Sequence, residues 1–141
     1  LILVLIFAVF ELARSIRMCL ERQRYKRGTS RERVYWLKKY LYHFLWLAGI
    51  ESGLGWNTAD TDAVAAKRLP SVEKGEYANV CRLLEKSVYG EKDLENYEER
   101  TILAFLYKVV DYRKVCGWKR RIRFRYYAVF SPRKNVRKKQ I

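Results

Sequence analysis

The sequence contains few residues that break helices, since only 2 of its 141 residues are proline and 7 are glycine. Folds built from many short strands need frequent turns, and turns are rich in these two residues. The scarcity of both argues against a many-turned β fold and predicts an all-α protein. Neither an internal repeat nor a low-complexity tract is present.

Residues with catalytic or metal-binding chemistry are also scarce. His43 is the single histidine, and no C-x-x-C, G-x-G-x-x-G or P-loop motif occurs. The three cysteines, Cys19, Cys81 and Cys116, are odd in number and widely spaced. This argues against a zinc site and a disulfide framework, and it predicts reduced thiols in a reducing compartment. We therefore expect no enzyme active site, no cofactor and no metal.

Each of these residues has a functional alternative. A general base or a metal ligand is the alternative for His43, but its aromatic-rich surroundings favour simple packing. Cys19 lies in a basic stretch and is a candidate for palmitoylation beside a membrane. Cys81 is expected to be an inert core thiol. Acidic residues clustered between 91 and 99 suit the start of a helix better than acid–base catalysis.

The net charge of +15 is unevenly distributed. Residues 11–40 carry +7 (10 Lys/Arg against 3 Asp/Glu), residues 41–111 carry −4 (8 against 12), and residues 112–141 carry +12 (12 against none). A uniformly basic domain would indicate nucleic-acid binding. Basic flanks beside an apolar segment indicate instead the cytoplasmic face of a membrane.

That apolar segment is LILVLIFAVF, residues 1–10. It is too short to span a bilayer alone, because a spanning helix needs about 20 residues. The sequence predicts that residues 1–10 are the inner end of a truncated transmembrane helix and that residues 11–28 form a basic juxtamembrane helix. The alternative is a buried helix of a soluble bundle. The membrane interpretation makes six residues lipid-facing: Arg14, Arg17, Arg22, Arg24, Lys26 and Arg27.

Residues 29–118 are predicted to form a small helical bundle of about four helices. Thr29 and Glu32 form a possible capping box. Apolar residues then recur at spacings of three and four along three helices. The predicted core positions are Val34, Leu37, Leu41, Phe44, Leu45 and Ala48 in the first helix, Tyr77, Val80, Cys81, Leu84 and Val88 in the second, and Ile102, Phe105, Leu106, Val109 and Val110 in the last.

The helix starts in this bundle are assigned from capping residues. Thr58 is expected to cap a short helix that ends by Pro70, and Ser71 to cap the next helix. Asp93 or Asn96 is expected to cap a last, long helix that runs on to residue 127. Gly28, Gly49 and Gly90 are expected to separate the helices.

Residues 119–141 form a basic C-terminal tail in which aromatic and cationic residues alternate. Contact with an anionic membrane is one interpretation. Binding of single-stranded nucleic acid is the second, and a solvated helix end is the third. The membrane interpretation adds a second group of lipid-facing candidates, namely Lys119, Arg120, Arg121, Arg123 and Arg125.

Two stretches resemble a known family. FLWLAGIESGLGWNTADTDAVAAKRL resembles the pattern L-x-x-x-G, a short polar gap, then T-x-x-E-x-A-x-x-L. YANVCRLLEKSVYGEKDLENYEERTIL resembles the family's second motif through Tyr77, Tyr89, Gly90, Glu98 and Glu99. Together they are similar to domain of unknown function 4129, over residues 30–110. Ala59 stands where that family usually has proline, and acids replace its usual glutamate.

The resemblance implies a cytoplasmic helical domain at the C-terminus of a bacterial membrane-anchored transglutaminase-like protein. The transglutaminase-like Cys/His/Asp core would then lie upstream, and none of its residues maps onto this sequence. The expected function is a non-enzymatic interaction or regulatory domain at the bacterial cell membrane. Its partners would be an anionic membrane surface and a protein that contacts Trp56, Asn57 and Thr58. A basic helical domain that binds nucleic acid is the alternative.

Overall fold

The structure is a computed structural model that describes residues 1–90 and 92–127. This part of the chain contains six α-helices, one turn of 3₁₀ helix and no strand, which confirms the all-α prediction. The elements are α1 (Ile2–Arg27), α2 (Ser30–Leu47), α3 (Thr58–Arg68), α4 (Glu76–Tyr89), α5 (Asn96–Asp111), the 3₁₀ turn (Tyr112–Lys114) and α6 (Trp118–Tyr127). The bundle that follows α1 therefore has five α-helices rather than about four.

The start of α2 follows from its capping box, which the structure confirms. The Glu32 carboxylate accepts a hydrogen bond from the Thr29 backbone N–H at 2.7 Å, and Thr29 Oγ1 accepts one from the Glu32 N–H at 3.4 Å. These bonds satisfy donors that the first turn of a helix leaves unpaired. The sharp turn between α1 and α2 is thus fixed locally.

The core lies between α2, α4 and α5, with α3 packed on α4. All six core positions predicted for the first bundle helix are buried, five of them on α2 and Ala48 directly after it, and so are all five on α5. On α4 the prediction holds at four positions and fails at Val88, which is 46 % exposed. Val88 lies in the last turn of α4, where it lines an open cleft together with Arg31 and Lys38 of α2.

The start of α4 differs from the prediction. Helix α4 begins after Gly75, whose φ of 93° suits glycine, and Ser71 does not cap it. The buried Asp62 of α3 accepts hydrogen bonds from the backbone N–H groups of Gly75 at 2.7 Å and Ala78 at 3.1 Å. A carboxylate from a neighbouring helix therefore caps α4, which a search for local capping residues cannot detect.

Two further helix starts also differ. Asn57, rather than Thr58, precedes the first residue of α3. Helix α5 is capped by Glu95 in a box with Glu98, rather than by Asp93 or Asn96. Glutamate is an unusual cap, but its carboxylate supplies the same acceptor oxygens as that of aspartate.

The long last helix predicted from the sequence is two helices. Helix α5 ends at Asp111, and the 3₁₀ turn and Gly117 redirect the chain into α6. This bend returns Phe124 to the core, where its ring stacks on Phe44 at 5.8 Å and meets Tyr112 edge-on at 6.2 Å. Burying this aromatic ring stabilises the bend, because a straight helix would carry Phe124 away from the bundle.

We expect Phe124→Ala to lower the free energy of unfolding by about 3–5 kcal/mol, because it leaves a cavity beside Phe44. Trp118→Ala is the matched control, since Trp118 lies on the same helix and is 68 % exposed. It should cost less than about 1 kcal/mol. Urea unfolding of both variants measures the difference, and equal losses would contradict the anchoring role of Phe124.

Candidate functional site

The N-terminal part of α1 projects from the bundle without a covering partner. Residues 1–10 are all exposed, and the exposed fractions of the large side chains run from 53 % at Phe7 to 101 % at Leu1. A helix that is apolar on every side normally lies in a protein core or in lipid. In the part of the chain that the structure describes, no helix has the length and apolar content needed to cross a membrane.

The two basic segments of the sequence meet at the base of this projection. The rings of Phe10 on α1 and Tyr126 on α6 lie 5.7 Å apart. The Arg125 guanidinium lies 3.7 Å from the Glu11 carboxylate, and Arg14 Nη1 donates a hydrogen bond to the Arg125 carbonyl at 3.5 Å. We call these five residues the collar. It joins positions more than 100 residues apart in the sequence.

Arg14 is less available than the sequence suggested. Its Nε and Nη2 atoms donate hydrogen bonds to Glu11 Oε2 at 3.0 and 2.8 Å. These bonds lower the pKa of the Glu11 carboxyl, which therefore stays ionised at neutral pH. Glu11 thus offsets part of the positive charge of the collar and holds Arg14 and Arg125 beside each other.

The remaining predicted lipid-facing residues are mostly exposed. On α1 these are Arg17, Arg24, Lys26 and Arg27, and on α6 they are Lys119, Arg120, Arg121, Arg123 and Arg125. Arg22 differs because it is half-buried and its charge acts on Tyr107 of α5, whose pKa is raised by burial to about 12. The exposed cations give α1 and α6 a strongly positive surface.

A cleft of about 540 Å³ opens where α1 turns into α2. Its lining includes Leu20, Arg24 and Arg27 of α1, and Glu32 and Trp36 of α2. Lys39 Nζ lies 4.9 Å from the centre of the Trp36 ring, in a cation–π contact. The cleft adds a concave, cationic region to the basic surface of α1.

Three segments converge on Glu99, a residue that the sequence placed at a helix start and in the second family motif. Arg33 donates to Glu99 Oε1 at 2.7 Å and to Oε2 at 3.1 Å, and the Tyr25 hydroxyl donates to Oε1 at 3.0 Å. Arg33 Nη1 also donates to the Gly28 carbonyl at 2.9 Å. The Glu99 clamp, meaning Tyr25, Gly28, Arg33 and Glu99, ties the end of α1 and the start of α2 to α5.

The clamp also changes the titration of its members. Burial and the neighbouring Glu99 charge raise the pKa of Tyr25, and the hydrogen bond to Glu99 raises the pKa of Arg33. Both side chains therefore keep their protons throughout the neutral range. The sequence shows Glu99 four residues after Glu95 and Arg33 four residues after Thr29. No local pattern in the sequence indicates that these two side chains form an ion pair.

The loop proposed for partner binding is ordered by contacts at both ends. Trp56 is 61 % exposed, Thr58 is half-buried, and the Asn57 amide donates a hydrogen bond to Asp60 at the start of α3. Leu54 packs against the core. The loop presents one large aromatic side chain on the surface, and its role in partner binding stays a prediction.

His43 and Cys81 occupy packing positions. The His43 ring lies 6.1 Å from that of Trp46 and 6.2 Å from that of Phe44. Cys81 is buried, and burial raises the pKa of its thiol, which weakens it as a nucleophile. Among the described residues, no group of three or more His, Cys, Asp or Glu side chains could hold a metal ion.

No family model, curated protein or solved structure matches the chain. The similarity to domain of unknown function 4129 therefore stays a prediction from the sequence motifs.

We expect Glu99→Gln to lower the free energy of unfolding at pH 7 by about 1–3 kcal/mol, since it removes a charge-assisted, largely buried pair. Asp93→Asn is the control because its pair with Arg31 is exposed on both sides, at 61 % and 57 %. That variant should lose less than about 1 kcal/mol. Urea unfolding compares the two variants. A larger loss of unfolding free energy for Asp93→Asn would contradict the expected contribution of the clamp to stability.

Glu98 predicts a pH dependence of stability. Its carboxylate accepts hydrogen bonds from Lys86 Nζ at 2.6 Å and from the Glu95 N–H at 3.0 Å, and both lower its pKa. The unfolded chain has the higher Glu98 pKa, about 4.3, so the native state gains stability above that pH and loses it in more acidic solution. Glu98→Gln should therefore destabilise the protein at pH 7, and the difference from the parent chain should shrink at pH 3. A difference that grows on acidification would contradict this.

Proposed function

We propose that the chain is a non-enzymatic helical interaction domain held at the cytoplasmic surface of a bacterial membrane. The supporting observation is the collar, which brings the basic residues of α1 and α6 together directly behind the exposed apolar residues 1–10. Apolar side chains followed at once by cations and aromatic rings suit the boundary between hydrocarbon and headgroups. The resemblance to the C-terminal domain of transglutaminase-like membrane proteins points to the same location.

The dimensions of α1 agree with this arrangement. At 1.5 Å per residue, residues 1–10 extend about 15 Å, which is half of the roughly 30 Å hydrocarbon core. Arg14 and Arg17 then lie about 6–10 Å beyond Phe10, at the depth of the headgroups. Arg24 and Arg27 lie about 21–25 Å beyond it, so they would reach the lipid only if α1 tilts strongly.

The rest of the bundle would then face the cytoplasm and a protein partner. Residues 41–111 carry a net charge of −4, so anionic lipid repels this part of the chain while it attracts the two flanks. Trp56 and its loop lie within this acidic part. We therefore place the partner surface there.

Nucleic-acid binding is the second candidate, because α6 exposes five cations within ten residues together with Trp118. Cationic helices with exposed rings bind single strands through phosphate contacts and stacking. This binding would weaken steeply with salt and would not need residues 1–10.

Flotation of the full chain on vesicles tests the proposal. Neutral phosphatidylcholine vesicles and vesicles with added phosphatidylglycerol are compared at about 0.1 M and 1 M salt, where the screening length falls from about 10 to 3 Å. The full chain should float on both lipids, and it should bind anionic vesicles more tightly at low salt. Leu3→Asp/Phe7→Asp should abolish the binding that persists at high salt.

Paired variants locate the contact. Arg17→Gln/Arg125→Gln should weaken binding to anionic vesicles by about tenfold or more, since each cation near the surface contributes about 1 kcal/mol. Arg24→Gln/Arg27→Gln should have a smaller effect, and Lys67→Gln/Arg82→Gln, which removes the same charge elsewhere, should have almost none. Failure of the full chain to float on either lipid would overturn the membrane proposal. Salt-sensitive binding to a single-stranded oligonucleotide would then support the second candidate.

A further inference from the structure

Two opposite faces of α1 differ in what covers them. If the helix is written as heptads abcdefg with Ile2 at position a, one face consists of positions c and f. Five of the six half-buried residues of α1 fall there, and Arg22 at a g position is the sixth. The five are Glu11, Arg14, Met18, Glu21 and Tyr25. These residues include Glu11 and Arg14 of the collar and Tyr25 of the clamp, so the c/f face is the one that packs on the bundle.

The opposite face is apolar and uncovered. Positions a and d lie about 160° around the helix from positions c and f, since successive residues turn by about 100°. All six residues at these positions up to residue 19 are exposed. Positions a hold the β-branched Ile2, Val9 and Ile16, and positions d hold Leu5, Leu12 and Cys19. We call these six residues the α1 seam.

We propose that two copies of this chain pair through the α1 seam as a parallel, in-register, two-stranded coiled coil over residues 2–19. β-branched residues at a with leucine at d is the pattern that favours two parallel strands over three or four. The pattern is self-complementary, so a second copy of the same helix is the occupant that fits it.

Charge supports a second copy as the partner, although this end of the chain is basic. The charged residues of α1 before position 22 are Glu11, Arg14, Arg17 and Glu21, and all lie at positions b, c or f, away from the seam. The positions that flank the seam, e and g, hold only uncharged residues up to residue 20, including Ala8, Ala13 and Ser15. Two like-charged chains can therefore approach along this face without opposing charges of the same sign, and the small residues let the helices pack closely.

The area that pairing would bury is adequate. The five aliphatic seam residues are each between 54 % and 74 % exposed. Covering one such side chain removes about 60–120 Å² of apolar surface, so the ten aliphatic seam side chains of two copies bury roughly 600–1,200 Å², a range that reaches the lower limit of about 1,000 Å² for a specific interface. The bundles lie on the outer faces of the two helices, so they do not obstruct the pairing. This inference goes beyond the proposed membrane attachment and does not require it.

Disulfide cross-linking of the full chain tests the register and direction. A parallel, in-register pair places the two Cys19 side chains beside each other, and a disulfide forms only when the Cα atoms lie about 4.4–6.8 Å apart. Cys81 and Cys116 are buried, so Cys19 is the accessible thiol in the described part of the chain. Mild oxidation should give a reducible species of twice the 17.0 kDa chain mass, which Cys19→Ser abolishes.

Cysteines introduced at two other positions of α1 test the predicted register. In the Cys19→Ser background, Leu12→Cys at a second d position should restore the cross-link, whereas Arg17→Cys at a b position should not. A cross-link at only one of residues 12 and 19 would indicate an antiparallel pair and overturn the proposal. If cysteine at residue 17 cross-links as well as cysteine at residue 12 or 19, the chains associate non-specifically through apolar residues 1–10. That result would also overturn the proposal.

Sedimentation equilibrium gives an independent readout. Ile16→Glu should weaken the dimer by at least about 100-fold, because it places a carboxylate at a buried a position in both chains. Arg17→Glu, its exposed neighbour, should leave the dimer intact. A chain that is monomeric in buffer and on vesicles at tens of micromolar would overturn the pairing. Membrane attachment is measured by flotation of the unsubstituted chain, and pairing is measured by cross-linking and sedimentation in buffer, so failure of the dimer and failure of membrane attachment are separate results.

Discussion

The ion pair between Arg33 and Glu99 is the constraint on which the rest of the structure depends. It closes the α1–α2 turn against the first turn of α5, and the Tyr25 hydroxyl adds the end of α1 to the same carboxylate. Because Arg33 also bonds the Gly28 carbonyl, the turn cannot open without breaking a charge-assisted contact. The direction in which α1 leaves the bundle is thereby set at one end by the clamp and near its other end by the collar.

The collar depends on the clamp and on the core together. Phe124 anchors α6 on Phe44, and this places Arg125 and Tyr126 beside residues 10–14 of α1. The two basic segments repel each other, because each carries a net positive charge. The apolar contacts of α6 overcome that repulsion, and the Glu11 carboxylate reduces it where the two segments meet.

The parts of the fold that follow from the sequence are those set by local periodicity. The buried faces of α2 and α5 follow from three- and four-residue spacing, and the capping box at Thr29 follows from one short motif. The break after Asp111 could not be predicted, because the helical pattern of the local sequence continues past it. Only the tertiary contact of Phe124 with Phe44 stabilises the bend. Asp62 capping α4 and Glu99 pairing with Arg33 were missed for the same reason. The basic residues of the candidate surface were visible in the sequence, but their meeting at the collar was not.

Helix α1 contains neither glycine nor proline from Ile2 to Arg27, and its 26 residues give a rod about 39 Å long. Such a rod is stiff in bending and in torsion, because every interior backbone hydrogen bond resists both. A rotation applied about its axis at the apolar end would therefore strain the collar contacts of Glu11 and Arg14 before it reached the Tyr25 bond to Glu99. The helix is thus held against turning at two points along its length.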